Sequence, residues 1–456
     1  MSAFDRSTLV KWDQRYLWHP FTPHSAYPNE DPLMIVGGDG HYLIDADGRR
    51  LLDAVSSLWC SILGHRRPEI DAAVHAQVDK IAHSTFLGNA SEPAVRLAKR
   101  LVEIAPPGLS RVFYSDNGST SVEVALKMAY QYHQQVGSTS NAQRKSFLTV
   151  GNAYHGDTIG AVSVGGIDLF HQVYHPLLFE TQSAPSPYCY RCPLGLSRDR
   201  CQIDCTAELV RKIHAMGEHL AAVVMEPGMQ GAAGMINLPE GSLRKVRDAC
   251  DQVGTLLILD EVAMGFGRTG KMFACDHEKV TPDFLCLAKG LTGGYLPMAA
   301  TLTTEQIFEA FLGPPEDGKT FFHGHTYTGN QLGAAAALAT LDVLEEEQII
   351  AAVAPRITQL TRELEELWKH TAVGDIRQAG LAAGIELVAD RAEKTPFDSA
   401  KRVGMKVCLA ARKHGVFLRP LGDVIVLMPP LTITESELSR IVSAISAGIA
   451  EVCGNE

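Results

Sequence analysis

Between residues 112 and 287 the chain alternates short β-branched runs with amphipathic helical patterns. That alternation restricts it to a mostly parallel sheet covered by helices. Residues 112–114 read as a strand, 121–130 as a helix with Val122, Leu126 and Ala129 on one face, and 147–150 as the next strand. Two further apolar runs of strand length, 221–225 and 255–259, flank the helical pattern 242–252. Each run ends in acidic or glycine-rich sequence, where open α/β sheets hold their ligands. Nearer the start, residues 40–52 are hairpin-like, with Asp47-Gly48 as a turn signal. Beyond Gln331 an Ala-rich helix runs into the acidic stretch 345–347, and the remainder, with 380–387 and a strand exit at Pro429-Pro430, reads as small α+β structure. The expected organisation is an α/β chain in three stretches. Residues 1–65 contribute to a small domain, 66–335 form a large domain with a mostly parallel central sheet, and 336–456 complete the small domain, which both ends of the chain build.

Composition narrows the range of partners. With 41 Lys and Arg against 52 Asp and Glu, the net charge of −11 offers no overall basic field for a polyanion, so nucleic acid is not an expected partner. A bilayer span needs roughly 20 apolar residues, and the long uncharged run 290–304 is interrupted by Gly293, Gly294 and Pro297, so no membrane association is expected. Asp5, Arg6, Lys11, Asp13 and Arg15 break any apolar leader, which points to the cytoplasm.

The chemistry concentrates in TLLILDEVAMGFGRTG at 255–270 and FLCLAKGLTGG at 284–294. One buried strand delivers Asp260 and Glu261 at its C-terminal end, and a second apolar run delivers Lys289 into a glycine-rich turn. Separately, these are an ordinary helix cap and an ordinary loop lysine. Together they suit pyridoxal phosphate, which needs a lysine amine for covalent attachment and a carboxylate to keep its ring nitrogen protonated. SDNGSTS at 115–121 joins a strand to a helix whose first amides and positive dipole end would receive a phosphate. The alternative there is a simple cap by Ser119 or Ser121.

LILDEVAMGFGRTGKMFA followed by a lysine in CLAKGLTGG resembles the class III (omega-amino-acid) aminotransferases of pyridoxal-phosphate fold type I, over nearly the whole chain. The resemblance implies an enzyme with small-molecule substrates, acting as a homodimer with active sites at the subunit interface. It gives Lys289, Asp260 and Tyr154 the catalytic positions, with Tyr154 stacked on the cofactor ring and Val262 closing the opposite face. Gly118 and Ser119 would hold the cofactor phosphate. From FFHGHTYTGN at 321–330, His325 and Thr326 would reach the neighbouring subunit's phosphate, and Gly324 would line the substrate channel; the family often has proline at the position of His325. LWHPFT at 17–22, SSLWCSILGH at 56–65, YHGDTIGAVSV at 154–164 and LRPLGD at 418–423 are similar to a branch of the family whose keto substrate is an aliphatic chain ending in a carboxylate. That substrate needs an apolar wall and a distant cation, positions that Trp59 and Arg419 match, and Phe21 would line the substrate site as well. Enzymes of this branch that take S-adenosylmethionine as amino donor carry tyrosines where this chain has Phe21 and Val426, which leaves lysine as a rival donor. Other class III transaminases, acting on ornithine, 4-aminobutyrate or polyamines, and lyases or aminomutases of the same fold share the cofactor core and stay open as alternatives.

One feature lies outside this reading. Cys189, Cys192, Cys201 and Cys205 form C-x2-C, a gap of eight, then C-x3-C, a spacing that suits a structural zinc or an iron–sulfur cluster. The alternative is a surface excursion with free thiols.

Overall fold

The computed structural model describes residues 5–136 and 143–454. The chain divides into two compact units. The first comprises residues 1–68, 355–376 and 385–456; the second comprises 69–354 and 377–384.

In the first unit, β1 (Ile35–Asp39), β2 (Tyr42–Asp45) and β3 (Arg50–Asp53) form an antiparallel meander. Asp45 supports the β2–β3 turn by accepting hydrogen bonds from the amides of Asp47 and Arg49 at 3.0 and 2.9 Å. After β3 comes a tight segment, Ser56–Trp59, whose backbone is non-helical at Ser57 and Leu58.

The second unit is built on seven strands: β4 (Leu109–Ser115), β5 (Ser146–Val150), β6 (Gln182–Ala184), β7 (Leu220–Met225), β10 (Leu256–Asp260), β11 (Phe284–Leu287) and β12 (Ala299–Thr304), with β8 (Met229–Gln230) and β9 (Ile236–Asn237) as a separate ribbon. Their order is β4-β12-β11-β10-β7-β5-β6, and β12 alone runs against its neighbours. Strands β7, β10 and β11 are buried along their whole length, as a parallel sheet covered on both faces requires. The helix Gly118–Gln135 lays Val122, Ala125, Leu126 and Ala129 on this sheet, in one cluster with Ala222, Val224, Ile258 and Phe284. Each fully buried Val, Leu, Ile or Phe in that layer contributes about 1.5–3 kcal/mol. The layer fixes the helix against the strand ends that carry the polar residues described below.

A four-stranded sheet has the order β13-β14-β17-β16, formed by β13 (Val373–Ala379), β14 (Ala382–Leu387), β16 (Arg419–Leu421) and β17 (Val424–Leu427); of it, residues 377–384 count with the second unit and the rest with the first, in which β15 (Val416–Phe417) pairs in parallel with β3. The long helix Glu435–Cys453 closes the unit and begins with a capping box between Thr434 and Glu437.

Candidate active site

The polar residues of the second unit gather at the C-terminal ends of its parallel strands. Asp260 ends β10 and is 6% exposed. One of its carboxylate oxygens accepts the amide of Val262 at 3.0 Å, and the other accepts from His155 Nδ1 at 2.8 Å. His155 lies in the turn after β5 and its ring is fully buried. Burial alone would lower the pKa of His155, but its hydrogen bond to Asp260 and the charges of Asp260 and Glu226 outweigh that and raise it. Glu226, the residue after β7, accepts the amides of Tyr154 at 3.1 Å and Gly231 at 2.9 Å. Burial pushes the Glu226 carboxyl up to about 7, with the Asp260 charge adding to the effect and His155 and the two amides opposing it. Three strand ends are thus tied together by a carboxylate, an imidazole and a second carboxyl, and the Asp260 carboxylate is held in place by a buried imidazole.

Around this centre the chain is close-set. Asn117 caps the helix Gly118–Gln135 in a reciprocal box with Thr120, leaving Gly118 and Ser119 to head the helix, where backbone amides have no intrahelical acceptor. Ser121 does not cap; its hydroxyl donates to the Gly118 carbonyl at 2.8 Å. A Cβ on Gly118 would stand 2.7 Å from Val262 Cγ1, so glycine is what lets the helix start approach the end of β10. Ser119 Oγ accepts the amide of Asp157 at 3.3 Å, and the Tyr154 hydroxyl donates to the Asp157 carboxylate at 2.7 Å. Tyr154 has its pKa raised by burial and by that hydrogen bond, so its hydroxyl stays protonated.

Lys289 follows β11, whose Cys286 is in register with Asp260 of the parallel neighbour β10. It is half-buried and has φ of 43°, a left-handed backbone unusual for a residue with a Cβ. In the loop after β12, His325 Nδ1 stands 3.6 Å from the Asp116 carboxylate, its amide donates to Thr328 Oγ1 at 2.9 Å, and Gly324 and Thr326 are exposed. The Thr326 carbonyl accepts from His83 Nε2 at 2.9 Å.

Phe21, Trp59 and Arg419 belong to the first unit. Phe21 is 56% exposed and Trp59 8%, and both have positive φ, 50° and 67°. Arg419 is exposed at the start of β16, directly across the ladder from Val426.

The second-unit residues fit pyridoxal phosphate. A helix of 18 residues presents its first amides beside a glycine that admits close approach, which suits a phosphate, and a carboxylate backed by a buried imidazole suits a protonated ring nitrogen. Among these groups His155 and Glu226 were not reached by sequence reasoning. The signal for Glu226 was present, since the apolar run 221–225 ends on it; His155 carried none beyond its place beside Tyr154.

The expectation of a metal at the four cysteines finds no support in the structure. Among the described residues no three His, Cys, Asp or Glu side chains form a group that could hold a metal ion. None of the four is joined in a disulfide, and their settings differ. Cys189 is exposed on a short 3-10 turn, Cys192 and Cys201 are half-buried, and Cys205 is buried in the first turn of the helix Asp204–Met216. A tetrahedral centre needs four thiolates converging on one point, and no such group stands among the described residues.

Comparison with known proteins decides the family. The model for aminotransferase class III matches residues 25–449. The chain is a class III aminotransferase. The aminotransferase is 52% identical over 455 residues to adenosylmethionine-8-amino-7-oxononanoate aminotransferase of Geobacter sulfurreducens, covering all of both chains. It is 49% identical over 462 residues to the protein of the same name from Aquifex aeolicus, covering 99% of each. The crystal structure of adenosylmethionine-8-amino-7-oxononanoate aminotransferase from Methanocaldococcus jannaschii superposes with a TM-score of 0.93 at 46% identity, over 98% of this chain and 100% of that one. A thermostable (S)-enantioselective omega-transaminase from Thermomicrobium roseum superposes equally well, at 0.93, with 34% identity over 99% of this chain and 100% of that one. Fold similarity therefore spans several transaminases, while sequence similarity is higher to the 8-amino-7-oxononanoate group.

Proposed function

We propose that this aminotransferase converts 8-amino-7-oxononanoate to 7,8-diaminononanoate in biotin biosynthesis. The substrate assignment is supported by the full-length relatives at about half identity that carry that name. The observation that carries the chemistry is the Asp260–His155 pair at the end of β10, with Lys289 just past the adjoining strand. Bound pyridoxal phosphate supplies an electron sink for the charge that develops on the substrate carbon. Asp260 would hold a proton on the cofactor ring nitrogen, and the hydrogen bond to His155 Nδ1 keeps its carboxylate aimed. Lys289 anchors the cofactor, and its Nζ moves the proton at the amino-bearing carbon of the substrate, a task that requires an amine able to lose its charge. Tyr154 and Val262 would enclose the ring, and the amides of Gly118 and Ser119 would receive the phosphate. Phe21 and Trp59 form an apolar wall for the nonanoate chain, and Arg419 pairs with its terminal carboxylate through a guanidinium fork.

The same reading makes the enzyme a cytoplasmic homodimer in which Gly324, His325 and Thr326 complete the partner's site. Exposed apolar side chains on the loops of the second unit support it: Leu87 at 77%, Phe322 at 82% and Tyr327 at 59%. Such apolar exposure favours a protein neighbour.

A second reading concerns the donor. The relatives' name contains adenosylmethionine, but Phe21 and Val426 lack the hydroxyls found in enzymes that use it. Val426 stands across the ladder from Arg419, so one missing hydroxyl falls beside the proposed carboxylate site. This favours lysine. Purified holoenzyme given the keto acid with each donor separately decides the point. Turnover with lysine supports this reading, and turnover with S-adenosylmethionine alone removes it.

A further inference from the structure

The SSLW segment bends in a way its residues do not prefer. Ser56, Ser57 and Trp59 have φ of 46°, 62° and 67°, three left-handed non-glycine residues within four positions. Ser57 combines its φ with ψ of −77°, close to the rare and strained form of three-residue turn. Backbone of this kind persists only where its surroundings over-determine it, and it clusters where function needs a fixed geometry.

The surrounding determinant is Asp53, the last residue of β3 and fully buried. Its carboxylate accepts from the amides of Val55 at 3.3 Å and Ser57 at 2.7 Å, from Ser57 Oγ at 3.1 Å and from His65 Nε2 at 2.9 Å. A buried carboxylate met by four donors is a rigid anchor. His65 is itself seated against β1. Its amide donates to the Gly40 carbonyl at 2.6 Å, and a Cβ on Gly38 would stand 2.8 Å from the His65 Cβ, so the strand carries glycine where the imidazole lies. On the other side, Ser56 Oγ donates to the Met428 carbonyl at 2.9 Å, and the Met428 amide donates to the Ala54 carbonyl at 2.8 Å. The turn is therefore clamped from two directions within the first unit.

We propose that Asp53 and His65 are positioning residues for the keto substrate: they hold the strained turn so that Trp59 is presented as a pre-formed apolar wall. The inference rests on the assignment of Trp59 made above. A wall fixed beforehand need not be ordered on binding, so loosening it weakens substrate capture more than it slows the chemical step.

The test compares Ser57→Gly, His65→Phe, His65→Gln and Trp59→Ala holoenzymes by steady-state kinetics in 8-amino-7-oxononanoate and by thermal melting. Glycine at position 57 removes the φ strain and frees the turn, so Ser57→Gly should raise KM roughly tenfold with the melting temperature unchanged. His65→Phe should raise KM at least as much, and His65→Gln, which keeps an N–H donor, should recover most of the loss. An unchanged KM in Ser57→Gly, or a KM that rises only in step with falling melting temperature across the set, overturns the proposal. Trp59→Ala separates the two levels of failure. No change in KM there removes Trp59 from the substrate site and the inference with it. A raised KM there, with none in Ser57→Gly or His65→Phe, keeps Trp59 and rejects the clamp alone.

Discussion

Asp260 shows how much of this site depends on one side chain's environment. Its carboxylate sits at the end of a fully buried strand, where an unpaired charge would be costly, and the imidazole of His155 supplies the compensation. Asp260→Asn should cut turnover at least 100-fold, about 2.7 kcal/mol in the barrier, while the protein still folds; steady-state rates beside a far-UV spectrum check this. Glu226 gives a pH signature. Its carboxyl lies near 7 in the folded protein against 4.5 ordinarily. Between those values the folded state keeps a proton that the unfolded chain has released, so stability falls as pH rises through the window. Melting curves of the cofactor-free protein from acid to neutral pH should show this slope, on the order of 3 kcal/mol at most, and Glu226→Gln should flatten it. Residues named from sequence also show strain that sequence does not reveal: Phe21, Trp59 and Lys289 all have positive φ. Propensity gives no warning of such backbone, because tertiary contacts impose it.

At the level of elements, the parallel sheet was legible because buried strands leave continuous apolar runs. Runs 221–225 and 255–259 correspond to β7 and β10, and the face Val122, Leu126 and Ala129 is the buried face of the helix Gly118–Gln135. The linkage among the strand ends was not legible, because His155, Glu226 and Asp260 lie far apart in the chain and only the fold brings them together. The cysteine spacing satisfies a sequence motif, but among the described residues no metal-holding group supports it. The turn after β5 is the tightest joint. Gly156 has φ of 122°, and a Cβ there would meet Ser119 Oγ at 1.9 Å and Ser119 Cα at 2.8 Å. Gly156→Ala must push the turn off the helix start. It should lower the melting temperature by several degrees, a loss of roughly 2–4 kcal/mol, and reduce bound cofactor measured by absorbance.

For the whole molecule, the proposed dimer makes a distinctive prediction. If each site takes Lys289 from one subunit and Thr326 from the other, Lys289→Ala and Thr326→Glu are each inactive alone. Co-expressed, they should recover roughly a quarter of wild-type activity, because half of a random mixture is hybrid and each hybrid has one intact site. Activity no greater than in either parent would show that each chain builds its own site. The central claim is the amino transfer to 8-amino-7-oxononanoate. Its most direct measurement is mass spectrometry of the products formed by purified holoenzyme from that keto acid with S-adenosylmethionine or lysine. We predict 7,8-diaminononanoate from at least one donor, matched one for one by the donor's oxo product and absent with Lys289→Ala. A loaded enzyme that aminates other keto acids but leaves 8-amino-7-oxononanoate untouched with either donor would contradict it.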